Sequence, residues 1–176
     1  LAVDGARVTL AGRTLSKLEG AAAELREEVT GAEIGISVCD VLIGDGGGND
    51  IFGLGGNDDI NGMAGSDFAR FDFSNKKIKA DLVAGTARGE GRDDLVSMEG
   101  FVGSVFNDEA LGDNKANVFF GLAGSDLLAG FGKPDDLFGG PGADGLFGGT
   151  GNDDMFGGPG NDFCDQGPGN GTASSC

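Results

Sequence analysis

Apolar residues fall on a nine-residue grid over the second half of the chain. Between residues 121 and 165 the eighth place of each nonapeptide is Leu128, Leu137, Leu146, Met155 and Cys164. Three-residue stretches centred on these places predict short strands whose middle side chain points inward, because side chains alternate faces along a strand. The six residues between them predict turns, since glycine reaches backbone angles that a Cβ forbids. Two turn-and-strand units close one coil. Places eighteen residues apart then stack, and places nine apart lie on opposite edges. The expected fold is all-β, a helix of flattened coils made of parallel strands around a thin apolar core.

The grid is looser elsewhere. Residues 42–70 form a first array, in which GLGGNDDIN (53–61) carries Ile60 at the eighth place and GMAGSDFAR (62–70) carries Ala69. Before them DGGGNDIF (45–52) reads as a turn one residue short, with Phe52 inward, which predicts a pinched coil. Residues 71–120 are a connecting segment with strands around Phe71, Phe73, Ile78, Leu82, Leu95, Phe101, Val102, Val105 and Phe106. It ends in two degenerate repeats, GSVFNDEAL (103–111) and GDNKANVFF (112–120), the second keeping Phe119 inward. Residues 1–41 obey other periods. Ala6–Leu10 and Ile34–Val38 predict strands. Leu18, Ala22, Leu25 and Val29 recur at helical spacing behind a Ser16/Glu19 capping box, predicting a helix over about 17–29. That is a short βαβ segment. Residues 166–176 form a C-terminal cap.

The polar positions bring in the chemistry. The sixth place of every main-array nonapeptide is Asp: Asp126, Asp135, Asp144, Asp153 and Asp162. Stacking puts Asp126, Asp144 and Asp162 on one edge and Asp135 and Asp153 on the other. Bare carbonyls lie among them at Gly139, Gly142, Gly148, Gly151, Gly157 and Gly160. Carboxylates and carbonyls are hard oxygen ligands at adaptable spacing, which suits Ca²⁺ better than Mg²⁺ or Zn²⁺. The first array offers Asp50, Asp58 and Asp67 for the same role. Asp108 holds the sixth place of one degenerate repeat, Asn117 replaces it in the next, and Gly171 ends the pattern.

Composition narrows the function. The chain has 37 glycines among 176 residues and a formal net charge of −17. So acidic a chain lacks the basic face of a nucleic-acid binder and is repelled by anionic membranes. With no His, Tyr or Trp it cannot build a histidine triad, an HExxH zinc site or a catalytic tyrosine. No apolar run is long enough to span a bilayer. Glycine ordering entropy and carboxylate repulsion both oppose a metal-free fold, so folding is expected to be coupled to Ca²⁺. The chain opens on Leu1 without Met or a signal-peptide pattern, and is expected to be a fragment or a processed product.

The pattern G-G-x-G-x-D-x-U-x over residues 42–170 resembles the RTX, or hemolysin-type, calcium-binding repeat family. The resemblance implies a right-handed parallel β-roll and a secreted, extracellular bacterial protein without enzymatic activity. It implies export in the unfolded state, with export machinery or a larger secreted polypeptide as partners beside calcium ions. The connecting segment, with "FDFSN" and "ADLVAGTARGEGRDDLVSMEGFVGS", is similar to segments found beside such repeats, and its Lys76, Lys77, Lys79, Arg88 and Arg92 read as a solvated face. Cys164 and Cys176, joined by a flexible Gly/Ser segment, either pair or stay as thiols; a secreted class favours a disulfide that closes the last coil. Cys39 reads as a packed strand residue. Two other functions stay open: the tail of a secreted hydrolase or toxin, and an NADP-binding fragment. The second rests on "DGARVTLAGRTLSKLEGAAAELREE" and "CDV", which resemble short-chain dehydrogenases and would place Arg13 at a 2′-phosphate and Asp40 near an adenine. The family's Gly-rich loop and catalytic tyrosine are both missing from the sequence.

Overall fold

The structure, a computed structural model, describes residues 41–176. The βαβ and dehydrogenase-like expectations for residues 1–41, with Arg13, Cys39 and Asp40, lie outside the described residues except at Val41, which belongs to the first strand of the repeat array. The described chain is built of short strands joined by turns. In order these are β1 (Val41–Ile43), β2 (Asp50–Ile51), β3 (Asp59–Asn61), β4 (Phe68–Arg70), β5 (Lys79–Asp81) and β6 (Thr86–Arg88). Then come β7 (Arg92–Val96), β8 (Gly100–Val102), β9 (Glu109–Leu111), β10 (Val118–Phe120) and β11 (Leu127–Gly132). Last are β12 (Asp136–Phe138), β13 (Gly145–Thr150), β14 (Asp154–Phe156), β15 (Phe163–Asp165) and β16 (Thr172–Ser174).

Successive strands of the array go to opposite sheets. One sheet has the order β1-β3-β7-β6-β5-β9-β11-β13-β15 and the other β2-β4-β8-β10-β12-β14-β16. Stacked strands are parallel and eighteen residues apart, so Leu128 faces Leu146 and Leu146 faces Cys164. In the second sheet Phe119, Leu137 and Met155 stack likewise. Leu128, Leu137 and Leu146 are fully buried, each removal from water stabilising by roughly 1.5–3 kcal/mol. Carboxylates rather than further apolar layers flank this single-file core.

The coil at residues 45–52 is not pinched. Gly44 opens a complete nonapeptide, and Ile51, opposite Ala69, takes the inward place expected for Phe52. Phe52 instead lies on the outside against Phe73, at 5.6 Å between ring centroids, and under the Arg70 guanidinium. Stacking on the next coil decides the register, because only an eighteen-residue offset lets both coils bury their apolar row.

The connecting segment departs most from simple winding. From β4 the chain enters the first sheet at β5, beside β9, and then runs back through β6 to β7, beside β3. The β5–β6 and β6–β7 pairings are antiparallel, unlike every other ladder. Residues of alternating character make this meander: Ala80, Ala87, Asp93 and Leu95 face in, while Lys79, Arg88 and Arg92 face out. Gly85, in the left-handed region at φ 64°, turns the chain into β6, and its carbonyl accepts the Leu95 N–H. The segment also carries the aromatic part of the core, with Phe71, Phe101 and Phe119 in successive ring contact.

Cys164 and Cys176 form a disulfide across 12 residues. It ties the tail that follows β16 back to β15 and closes the final coil. By constraining the unfolded chain such a loop contributes about 2–3 kcal/mol.

Candidate metal centre

The sixth-place residues form a ladder along each edge of the roll. Because equivalent places sit one above another, the amide of each coil meets the carboxylate of the next. Asp108 N–H donates to Asp126 Oδ1 at 2.7 Å, Asp126 N–H to Asp144 Oδ1 at 2.8 Å, and Asp144 N–H to Asp162 Oδ1 at 2.9 Å. On the other edge Asn117 N–H donates to Asp135 Oδ1 at 2.7 Å and Asp135 N–H to Asp153 Oδ1 at 3.0 Å. These bonds use one oxygen of each carboxylate. The other oxygen, Oδ2 of Asp67, Asp126, Asp135, Asp144, Asp153 and Asp162, is buried and has no hydrogen-bond donor. A buried charged oxygen left in that state is costly, so each one calls for a cation or a proton.

The glycines explain why these oxygens lie so close to backbone. An added Cβ at Gly139 would stand 2.5 Å from Asp144 Oδ2 and 2.7 Å from the carbonyl oxygen of Gly157. The first-place glycine is thus required by close approach, and the unpaired Oδ2 is brought beside a carbonyl of the next coil. Gly121 bears the same relation to Asp126 Oδ2 and the Gly139 carbonyl. The Gly157 carbonyl also accepts the Gly140 N–H at 2.9 Å. Gly148 packs against Asp153, while the carbonyls of Gly142 and Gly151 press on Gly160 and Gly169 of the coils above them.

Other sixth places are completed by protein. Asp108 is buried, but Ile78 N–H donates to its Oδ1, and Ser104 Oγ lies 2.9 and 3.0 Å from its two oxygens. Asn117 accepts from Asp113 N–H at 2.9 Å and its amide reaches the Glu99 carbonyl at 3.3 Å. In the nonapeptide opened by Gly44 the sixth place belongs to Asn49, whose N–H donates to Asp67 Oδ1 at 2.8 Å. Asp50, read from the sequence as that residue, stands one place further on in β2, exposed, with its carboxylate 3.3 Å from Arg70 Nη1. Asp58 is buried and its N–H donates to Asp93 Oδ1 at 3.1 Å. Asp93 and Glu99 are ladder members that the nonapeptide grid misses, because they follow an insertion that breaks its period.

Burial raises the affinity of these carboxylates for protons. It pushes Asp126 and Asp135 up to about 7, against opposing amide bonds, and the charges of neighbouring aspartates add to the rise. Asp93 is pushed up to about 6 for the same reason, and Asp108 and Asp144 are raised as well. A group whose folded value exceeds its ordinary value of 3.8 stabilises fully below that ordinary value and loses the contribution as pH rises through the folded one. In chelator the melting temperature of the chain is therefore expected to fall as pH rises from about 4 through about 7, each unit of difference being about 1.4 kcal/mol per group. Saturating calcium is expected to reverse this slope, since protons then compete with the ion. Thermal melts across that range with and without chelator check both signs.

The donor set fits a hard cation. Among the described residues no three Asp, Glu or Cys side chains are grouped to hold a metal. An ion in a slot between coils would therefore draw on one or two carboxylates and on carbonyl oxygens. That all-oxygen, adaptable set is the one Ca²⁺ accepts, whereas Zn²⁺ prefers nitrogen and sulfur. A profile of the RTX calcium-binding nonapeptide repeat (4 copies) matches residues 40–69, 102–130 and 129–164, together just over half of the chain. No curated protein sequence matches the chain. With its ladders of buried carboxylates between glycine turns and its matched repeats, the chain belongs to the RTX calcium-binding nonapeptide repeat family.

Proposed function

We propose that this chain is a non-catalytic module that folds on binding calcium, and that it acts in a secreted bacterial polypeptide. The observation that carries the reading is the row of buried Oδ2 atoms lacking donors, each packed against the first-place glycine of its own turn. Asp126, Asp135, Asp144, Asp153 and Asp162 supply the carboxylates, with carbonyls of first- and fourth-place glycines beside them. When bound, the ion supplies the positive charge that this apolar, acidic stack lacks. The chain's own residues set the slot width, exclude water with the Leu128–Leu146 and Leu137–Met155 rows, and hold Oδ1 in place through the amide ladder. In a low-calcium cytoplasm the array stays unfolded and fit for export. Outside, calcium folds it, and the Cys164–Cys176 disulfide fixes its end. Longer partners, such as a hydrolase or toxin body in the same polypeptide, fit this role.

Calorimetric titration of the chain with Ca²⁺ and with Mg²⁺ tests the reading. Saturable binding of several calcium ions, with Mg²⁺ far weaker, is expected. Asp144→Ala should remove ions from the stoichiometry, because Asp144 joins two slots of the ladder. Asp108→Ala should cost about 1–3 kcal/mol of stability by stranding the donors of Ile78 and Ser104, yet leave the calcium count unchanged. Equal loss of calcium in the two variants would refute the assignment.

A further inference from the structure

The place where the repeat pattern breaks holds a slot with the same geometry as the regular ones. Asp67 is fully buried, its Oδ1 accepts the Asn49 N–H, and its Oδ2 has no partner. In a regular nonapeptide stack the next six-residue turn would supply a first-place carbonyl and a sixth-place carboxylate. Here the chain returns from the meander through only Ser97-Met98-Glu99 before β8 begins at Gly100. Those three residues nevertheless reproduce the contacts of a full turn. Gly62 N–H donates to the Val96 carbonyl at 3.0 Å, as Gly121 N–H does to Phe138 at 2.8 Å. The Ser97 carbonyl and Asp67 Oδ2 converge on the space a Cβ of Gly62 would fill, as the Gly139 carbonyl and Asp126 Oδ2 do at Gly121. Ser97 is held at φ 54°, a left-handed angle costly for a residue with a Cβ. Glu99 Oε2 accepts the Asp67 N–H at 3.3 Å, the bond that Asp144 Oδ1 makes to Asp126.

We propose that Asp67, the Ser97 carbonyl and Glu99 form a further calcium site, one whose Ser97 and Glu99 half the nonapeptide pattern does not encode. The inference rests on the calcium reading of the regular ladder. Glutamate suits this place because its extra methylene spans part of the gap left by a turn three residues shorter. The other charged groups at the slot are Lys115, whose Nζ lies 3.1 Å from Glu99 Oε1 and 4.0 Å from Asp113 Oδ2, and Asp113 itself. Lys115 takes the outer oxygen of Glu99, and its positive charge opposes an ion on the Asp67 side. The site joins the first array to the second across the meander, so the two arrays share one continuous edge.

Equilibrium dialysis of the full chain against radiocalcium, with circular dichroism at saturating calcium, tests the assignment. Glu99→Gln and Asp67→Asn are each expected to lose one bound ion while keeping the β spectrum, and the double variant to lose that same single ion. An unchanged count in Glu99→Gln, or a loss of two in the double variant, would overturn it. A parent chain that binds no calcium would instead overturn the reading of the whole ladder. Lys115→Met removes the competing ammonium without touching the slot oxygens. It is expected to keep the count and tighten one ion about tenfold, and an isotherm identical to that of the parent chain would also overturn the proposal.

Discussion

Chelation of calcium near neutral pH is expected to abolish most of the β signal of this chain in far-ultraviolet circular dichroism, and readdition of Ca²⁺, but not Mg²⁺, to restore it cooperatively. The reason lies in the buried Oδ2 atoms of Asp126, Asp135, Asp144 and Asp153. Stripping one partner from a buried ionic contact costs about 3–5 kcal/mol, because an uncompensated charge remains in a medium that solvates it poorly. Two or three such losses equal the whole stability of an ordinary domain, about 5–15 kcal/mol. Opposing them is a core one residue thick, Leu128, Leu137, Leu146 and Met155, together with a disulfide. The aromatic region around Phe71, Phe101 and Phe119 has more apolar area, and its sixth-place residues Asp108 and Asn117 are completed by protein donors. Residual structure in chelator is expected there. A spectrum and melting temperature unaffected by chelation would show that the apolar rows suffice and that the ladder tolerates protonation in place of the ion.

The second large effect concerns one hydrogen atom. Gly142→Ala is expected to destabilise the calcium-loaded chain by at least about 3 kcal/mol. Its new Cβ would overlap the carbonyl oxygen of Gly124 in the coil below. Backbone cannot swing aside as a side chain can, so the two coils must separate, which lengthens the Asp126–Asp144 amide bond and opens the slot. The matched control is Gly46→Ala. There a Cβ meets nothing within 4 Å and φ lies outside the left-handed region. That change is expected to be neutral, or to stabilise by about 0.4–1 kcal/mol through the unfolded state. Denaturant unfolding of both variants in saturating calcium checks the pair. Similar midpoints would mean that the coils slide past each other and that fourth-place glycines are not spacers.

The second place of the turn shows how far a glycine rule can mislead. Leu122 and Phe131 stand there at φ 76° and 75°, alongside Gly140 at 107°. The left-handed angle is kept whether or not glycine supplies it. Close approach at the first place, which is glycine in every nonapeptide before the C-terminal cap although Phe106, Lys115 and Lys133 occupy fourth places, is the stricter requirement, and only the stacked coils reveal it.

The sequence alone determined everything that depends on the period. A residue nine places on reverses edge and a residue eighteen places on stacks. Hence the strands, the inward Leu128-to-Cys164 row, the two Asp ladders and the hard-oxygen chemistry were legible without coordinates. The tertiary structure decided whatever depends on pairing across a broken period. Pairing with Ala69 put Ile51 inward, Asn49 in the ladder and Asp50 outside on Arg70. The meander runs backward between β9 and β3, and its return brings Asp93 and Glu99 against residues 35 and 32 positions away. No local spacing encodes those distances, because an insertion resets the count while the sheets still demand that every strand find a neighbour. The structure alone also separates a buried carboxylate that protein donors complete, such as Asp108 beside Ser104, from one left half-bonded, such as Asp144. Both are Asp at the same place in the repeat with a first-place glycine against Oδ2, and the difference is that Ser104 donates to the oxygens of Asp108 while no donor reaches Asp144 Oδ2.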